Sequence, residues 1–199
     1  MSFFNKVTEK APVPFITSPL IDSVAAKIRG GETFDQDLSA DDLQTVVDGV
    51  TSQFNRVTFA LIATIEKAKN TTVEIRQNKA GTRELCIVDT TLEVLKPFPG
   101  DYHLRLNWAN KEGSFDTLEM TGITFETTES TSKHAAAVKK LNVEAIIAKA
   151  LPEPNTMLTS AIGDQLGLEP RGVTLTHASF TLTPDHKLHV GLAGTKITK

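Results

Sequence analysis

The chain has 199 residues, 40% of them apolar, with a net charge of −3 and a pI near 6.0. That is enough apolar material for one domain with a full core, or for a main domain with a small appendage, and it excludes a disordered chain. The absence of a basic surplus argues against nucleic acid as a partner, because proteins that neutralise phosphates carry one.

Residues 1–17 form an irregular arm in which Phe3, Phe4, Val7, Val13, Phe15 and Ile16 are interrupted by Pro12 and Pro14. Proline fixes φ and removes a donor, so the arm cannot bury these side chains in a regular element of its own. A covering surface is needed, either on the same domain or on a neighbouring subunit. Met1 to Lys6 lack the apolar block and cleavage site of a secretion signal, and no apolar run reaches the roughly 18–20 residues that span a bilayer. The single cysteine, Cys86, sits in an apolar strand pattern, which excludes an intramolecular disulfide and fits a reducing compartment. These features lead to the expectation of a cytoplasmic protein, and a compact leaderless chain fits a bacterial or phage source.

The remainder, residues 18–199, is expected to be a single α+β domain, the one candidate internal boundary lying near 127–133. Ser18 and Pro19 start a short amphipathic helix through Leu20, Ile21, Val24, Ala25 and Ile28, closed by Gly30-Gly31. Glu32 to Leu38 reads as a polar linker. From Ser39 to Asn70, the residues Leu43, Val47, Val50, Phe54, Val57, Leu61, Thr64 and Ala68 follow one another at steps of four and three. That spacing predicts one long helix of roughly eight turns, capped by Ser39, with Asp41 and Asp42 at its positive end and its apolar seam facing a core or a second copy.

Beyond Asn70 the period changes to two. Val73 and Ile75 mark one strand and Arg83 to Leu95 a second. Tyr102, Leu104, Leu106 and Trp108 mark a third, and Phe115 to Phe125 a fourth, with a phase change at Thr121-Gly122 that signals a bulge. Connections this short allow no crossover helix, so the four strands should form an antiparallel meander packed on the long helix. Ala135 to Leu151 is a helical pattern that restarts at Asn142, and Asn155 to Gly167 is a further helix. Val173 to Ala193 closes the chain as a hairpin around Pro184-Asp185-His186.

The chemistry is defined mainly by what is missing. No phosphate-binding loop, dinucleotide fingerprint or nucleophile elbow is present, so no cofactor is expected. Asp185, His186 and His189 offer three potential metal ligands within five residues, but His186 and His189 would point to opposite faces of a regular strand. His177 and His189 lack the carboxylate and nucleophile that would make a catalytic group. The polar side of the meander is the better candidate, with His103, Arg105 and Asn107 along one strand and the stiff Pro97-Phe98-Pro99 connection at its rim. Together with Phe3, Phe4 and Phe15 of the arm these are the expected binding residues. The sequence therefore points to a non-enzymatic interaction or assembly protein that binds a protein partner or itself, as a dimer. The alternatives are a binder of a small apolar ligand between helix and sheet, and an enzyme with an unfamiliar site.

Overall fold

In the computed structural model the described residues are 19–51, 57–59, 63–114, 116–150 and 167–197. Phe3, Phe4 and Phe15 of the arm, Phe54 in the middle of the apolar seam and the helix expected from Asn155 lie outside them. Helix α1 (Pro19–Arg29) turns Ile21, Val24, Ala25 and Ile28 onto one stripe, and all four are buried. The stripe packs on a three-stranded antiparallel sheet of β1 (Phe34–Leu38), β9 (Leu188–Lys196) and β8 (Val173–Leu182), in the order β1-β9-β8. Phe34, Phe180, Leu182, Leu188, Val190 and Leu192 supply the sheet side of this core. Gly194 is required there, since a Cβ at this position would run into the Thr174 carbonyl and Ile28. The segment expected as a polar linker is thus strand β1. Phe34 and Leu38 face the core while Asp35 and Asp37 face outward, an alternation that outweighs the polar composition between its two apolar ends.

The long helix expected over 39–70 is replaced by helix α2 (Ala40–Thr51), strand β2 (Val57–Phe59) and strand β3 (Ala63–Lys69). Its N-terminus is capped as expected: Asp42 N–H donates to Ser39 Oγ at 3.2 Å, and Ser39 N–H and Oγ–H donate to Asp42 Oδ2 at 2.9 and 2.7 Å. The Ser39 hydrogen bonds hold the Asp42 carboxyl below its ordinary value. A carboxyl whose folded value is lowered stabilises the fold above its unfolded pKa and loses that contribution as pH falls through the folded one. The protection of the amides at residues 40–43 relative to their intrinsic exchange rates should therefore fall on acidification below the ordinary carboxylate range. An Asp42→Asn variant should show no such fall with pH.

Strands β2 and β3 join a six-stranded antiparallel sheet of order β2-β3-β5-β6-β7, with β5 (Arg83–Lys96), β6 (Gly100–Asn110) and β7 (Leu118–Thr127), and β4 (Thr72–Gln77) paired to β5. The four expected strands thus belong to a six-stranded sheet that no long helix of the described residues covers. β3 and β4 lie end to end along one edge of β5, pairing with residues 91–96 and 83–88. They break at Asn70, whose φ is 55°, where Gln44 of α2 takes over: it donates to Thr71 O and accepts from Val73 N–H, each at 2.7 Å.

Opposite the break, Val88 and Asp89 of β5 face the single residue Arg105 of β6, a bulge in which Asp89 has φ 57°. The extra residue switches the inward positions of β5 from Leu85 and Ile87 to Leu92 and Val94. In β7 the same device appears at Thr121, between the pairs Asn107–Gly122 and Trp108–Met120. Although Cys86 and Val88 are buried on one side of the sheet, both bulges keep most of the apolar residues on the other. At one end that side adds Ile75, Leu85 and Trp108 to the α1 core. At the other, Ile65, Leu92, Val94 and Tyr102 meet α3 (Ala135–Leu141) and α4 (Val143–Ala150). The two helices are separated at Asn142, where φ is 49°. No helix of the described residues is long and apolar enough to cross a membrane.

A candidate binding site at one end of the larger sheet

The turn Pro97-Phe98-Pro99-Gly100 joins β5 to β6 and is braced from below. Gly100 has φ 136°, and a Cβ there would collide with Cγ2 of Thr131, which is fully buried in a 3₁₀ turn over Glu129–His134. The hydroxyls of Thr128 and Thr131 both donate to the Asp101 carbonyl at 2.8 Å, and Tyr102 Oη donates to the Phe98 carbonyl at 3.0 Å. The Phe98 ring stacks on His134 at 5.2 Å, and Tyr102 on Phe125 at 5.1 Å. Burial pushes the Tyr102 hydroxyl up in pKa, so it stays a donor.

These contacts wall an apolar cavity of about 60 Å3 between the sheet and helices α3 and α4, lined among others by Val94, Pro97, Phe98, Leu141, Val143 and Ile146. Its mouth is open, with Pro97 exposed and Leu141 40% exposed. The volume exceeds the roughly 10–15 Å3 needed by one water but falls well short of the roughly 300–1,000 Å3 of a ligand pocket. With no charged group among the described residues of its wall, it can seat a single apolar side chain.

The opposite side of the same sheet end is polar. Cross-strand register places Lys69, Thr91, His103 and Glu126 in one row, and Lys67, Glu93 and Asp101 in the next. Lys69 Nζ lies 2.7 Å from Glu93 and 4.0 Å from Asp101, and Lys67 lies 3.6 Å from Glu93. The Lys69 hydrogen bond lowers the Glu93 pKa and raises that of Lys69. Arg105 reaches Asp89 at 3.3 Å.

His103 and Arg105 are exposed on this side, whereas Pro97 and Phe98 belong to the apolar cavity on the other. Asn107 is not on the open surface: it is half-buried in register with the buried Cys86 and with Gly122, and its Oδ1 has no partner among the described residues. Burial raises the Cys86 thiol, which makes it an inert core group.

No family model, characterised protein or solved structure matches the chain. His186 lies in the last hairpin turn with φ 55°, away from His189, whose Nδ1 and Nε2 lie 2.8 Å from Asp37 and 3.4 Å from Asp35. Among the described residues no group of three or more His, Cys, Asp or Glu is placed to hold a metal. Sequence reasoning overlooked Val143 and the role of Leu141 and Ile146 as cavity wall. The available signal was the left-handed break at Asn142, which turns α4 back over the sheet.

Proposed function

We propose that this chain is a non-enzymatic interaction and assembly protein that binds a second copy of itself, with the apolar cavity beside Pro97 and Phe98 as the seat for a side chain of the partner. The observation that carries this reading is the cavity's size and lining: about 60 Å3, walled by apolar groups of the described residues and open at Leu141. The occupant proposed is the N-terminal arm of the second copy. The arm precedes α1, which begins at Pro19, and brings Phe3, Phe4 and Phe15 within a span of up to about 60 Å for 17 extended residues. Exchange of arms about a two-fold axis gives each copy one seat and one donor, the commonest closed symmetry of soluble assemblies. A cytoplasmic setting accompanies this reading, supported by the single buried cysteine.

Light scattering of the full chain should give a dimer mass at micromolar concentration. Replacing Phe3 and Phe4 with Ser, or Leu141 with Glu, should weaken the dimer by at least about tenfold, equivalent to roughly 1.4 kcal/mol. A full chain that stays monomeric, or variants that dimerise equally well, would contradict it. A second reading, a small apolar ligand in the same cavity, is favoured by the lining, but the volume restricts it to a molecule of a few heavy atoms.

A further inference from the structure

We propose that the open cleft on the polar side of the Pro97–Gly100 turn binds a small neutral polyhydroxyl compound, such as a monosaccharide unit. The cleft has a volume of about 620 Å3 and is bounded by Lys69, Thr91, Asp101, His103, Glu129 and Ser130. That volume lies within the roughly 300–1,000 Å3 of small-molecule sites. Its wall alternates hydroxyls, carboxylates and an imidazole, so donors and acceptors lie side by side. A polyol needs this arrangement, because each of its hydroxyls both donates and accepts.

Charge argues against the other ligand classes. Among the described residues lining the cleft Lys69 is the single cation, and its ammonium is already engaged by Glu93 at 2.7 Å and Asp101 at 4.0 Å. An anion would find no unpaired positive charge and would face the carboxylates of Asp101 and Glu129. A cation would have to compete with the resident ammonium for the same oxygens. An apolar ligand would strand these polar groups without partners.

His103 is the group left to recognise the guest. The residue is exposed, its ring makes no hydrogen bond or ion pair with the described residues, and it offers a flat face to sugar C–H groups beside two ring nitrogens. The floor beneath is fixed in advance, because Thr128 and Thr131 hold the Asp101 carbonyl from below, so little ordering accompanies binding.

The test is a titration of the isotope-labelled full chain with glucose, galactose and myo-inositol, and separately with inorganic phosphate and spermidine, followed by its amide and imidazole resonances. At least one of the three polyols should shift Thr91, His103 and Ser130 with saturation at about 1–30 mM, the weak range natural to so small a ligand. His103→Ala should weaken that binding at least about tenfold, while Arg76→Ala, on the same side of the sheet but outside the cleft wall, should leave it unchanged. Three results would overturn the proposal: no polyol shifts these residues, His103→Ala binds as the parent does, or phosphate or spermidine produces the shifts instead.

Discussion

Phe34→Ala should lower the stability of the fold by about 3–5 kcal/mol, the cost of truncating a fully buried aromatic. For a chain of this size that corresponds to a fall in Tm of roughly 6–20 °C. Phe34 is 1% exposed, lies in the core between α1 and the three-stranded sheet, and has the Lys27 ammonium 5.5 Å from its ring centroid. The effect should come mostly from burial, since a cation that stays partly solvated over the ring contributes only about 0.5–1 kcal/mol. Lys27→Met should therefore change stability by less than about 1 kcal/mol. Denaturant unfolding of Phe34→Ala within about 0.5 kcal/mol of the parent would mean that β1 is a surface linker after all, because ordinary surface substitutions stay within that range.

Gly100→Ala should be comparably damaging, by about 2–6 kcal/mol, as backbone strain and overpacking each contribute about one to three. The φ of 136° is one that side-chain-bearing residues rarely adopt, and the new methyl would meet Thr131 directly. Thr131→Ser removes the methyl that collides while keeping the hydroxyl that holds the Asp101 carbonyl. The double variant should therefore recover part of the loss, a coupling of about 1 kcal/mol or more in a double-mutant cycle. Strict additivity would show that Gly100 is needed for its backbone alone and that the 3₁₀ turn does not clamp the β5–β6 connection.

Much of the architecture is legible in the residue order, for reasons that differ between elements. Strands β4 to β9 declare themselves by period two, and the bulge of β7 shows as a change of phase from Met120 to Ile123 and Phe125, whereas the bulge of β5 is hidden because Leu85, Cys86, Ile87 and Val88 are apolar on both faces. The start of α2 is equally plain, because Ser39 and Asp42 satisfy each other's free groups locally. The stretch beyond Thr51 misleads because Val57, Leu61, Thr64 and Ala68 keep a helical spacing while Ile65, Lys67 and Lys69 alternate. Local pattern leaves that choice open, and pairing of β3 with residues 91–96 of β5 decides it, with β-branched Val57, Thr64 and Ile65 suited to extended chain. β1 was hidden for a similar reason, since five residues with two acidic side chains become a strand only because β9 lies beside them.

The candidate site divides along the same line. Pro97 and Phe98 stand out from their composition, and His103 and Arg105 from strand alternation. Which side of the sheet each serves depends on helices α3 and α4, separated from β5 by some forty residues, and on the register that draws Asn107 against Cys86. Cavities arise where distant elements meet, and no local period records that meeting.

The arm exchange can be tested most directly by mixing two full-length variants, Phe4→Cys and Leu141→Cys, under mild oxidation. The native Cys86 is fully buried and stays out of the reaction. A thiol on the arm of one copy, seated at the mouth of the cavity of another, should form a mixed disulfide dimer in high yield, and neither variant alone should do so to the same extent. Absence of the mixed dimer, or closure of the doubly substituted chain on itself at every concentration, would contradict exchange between copies and place the arm on its own domain.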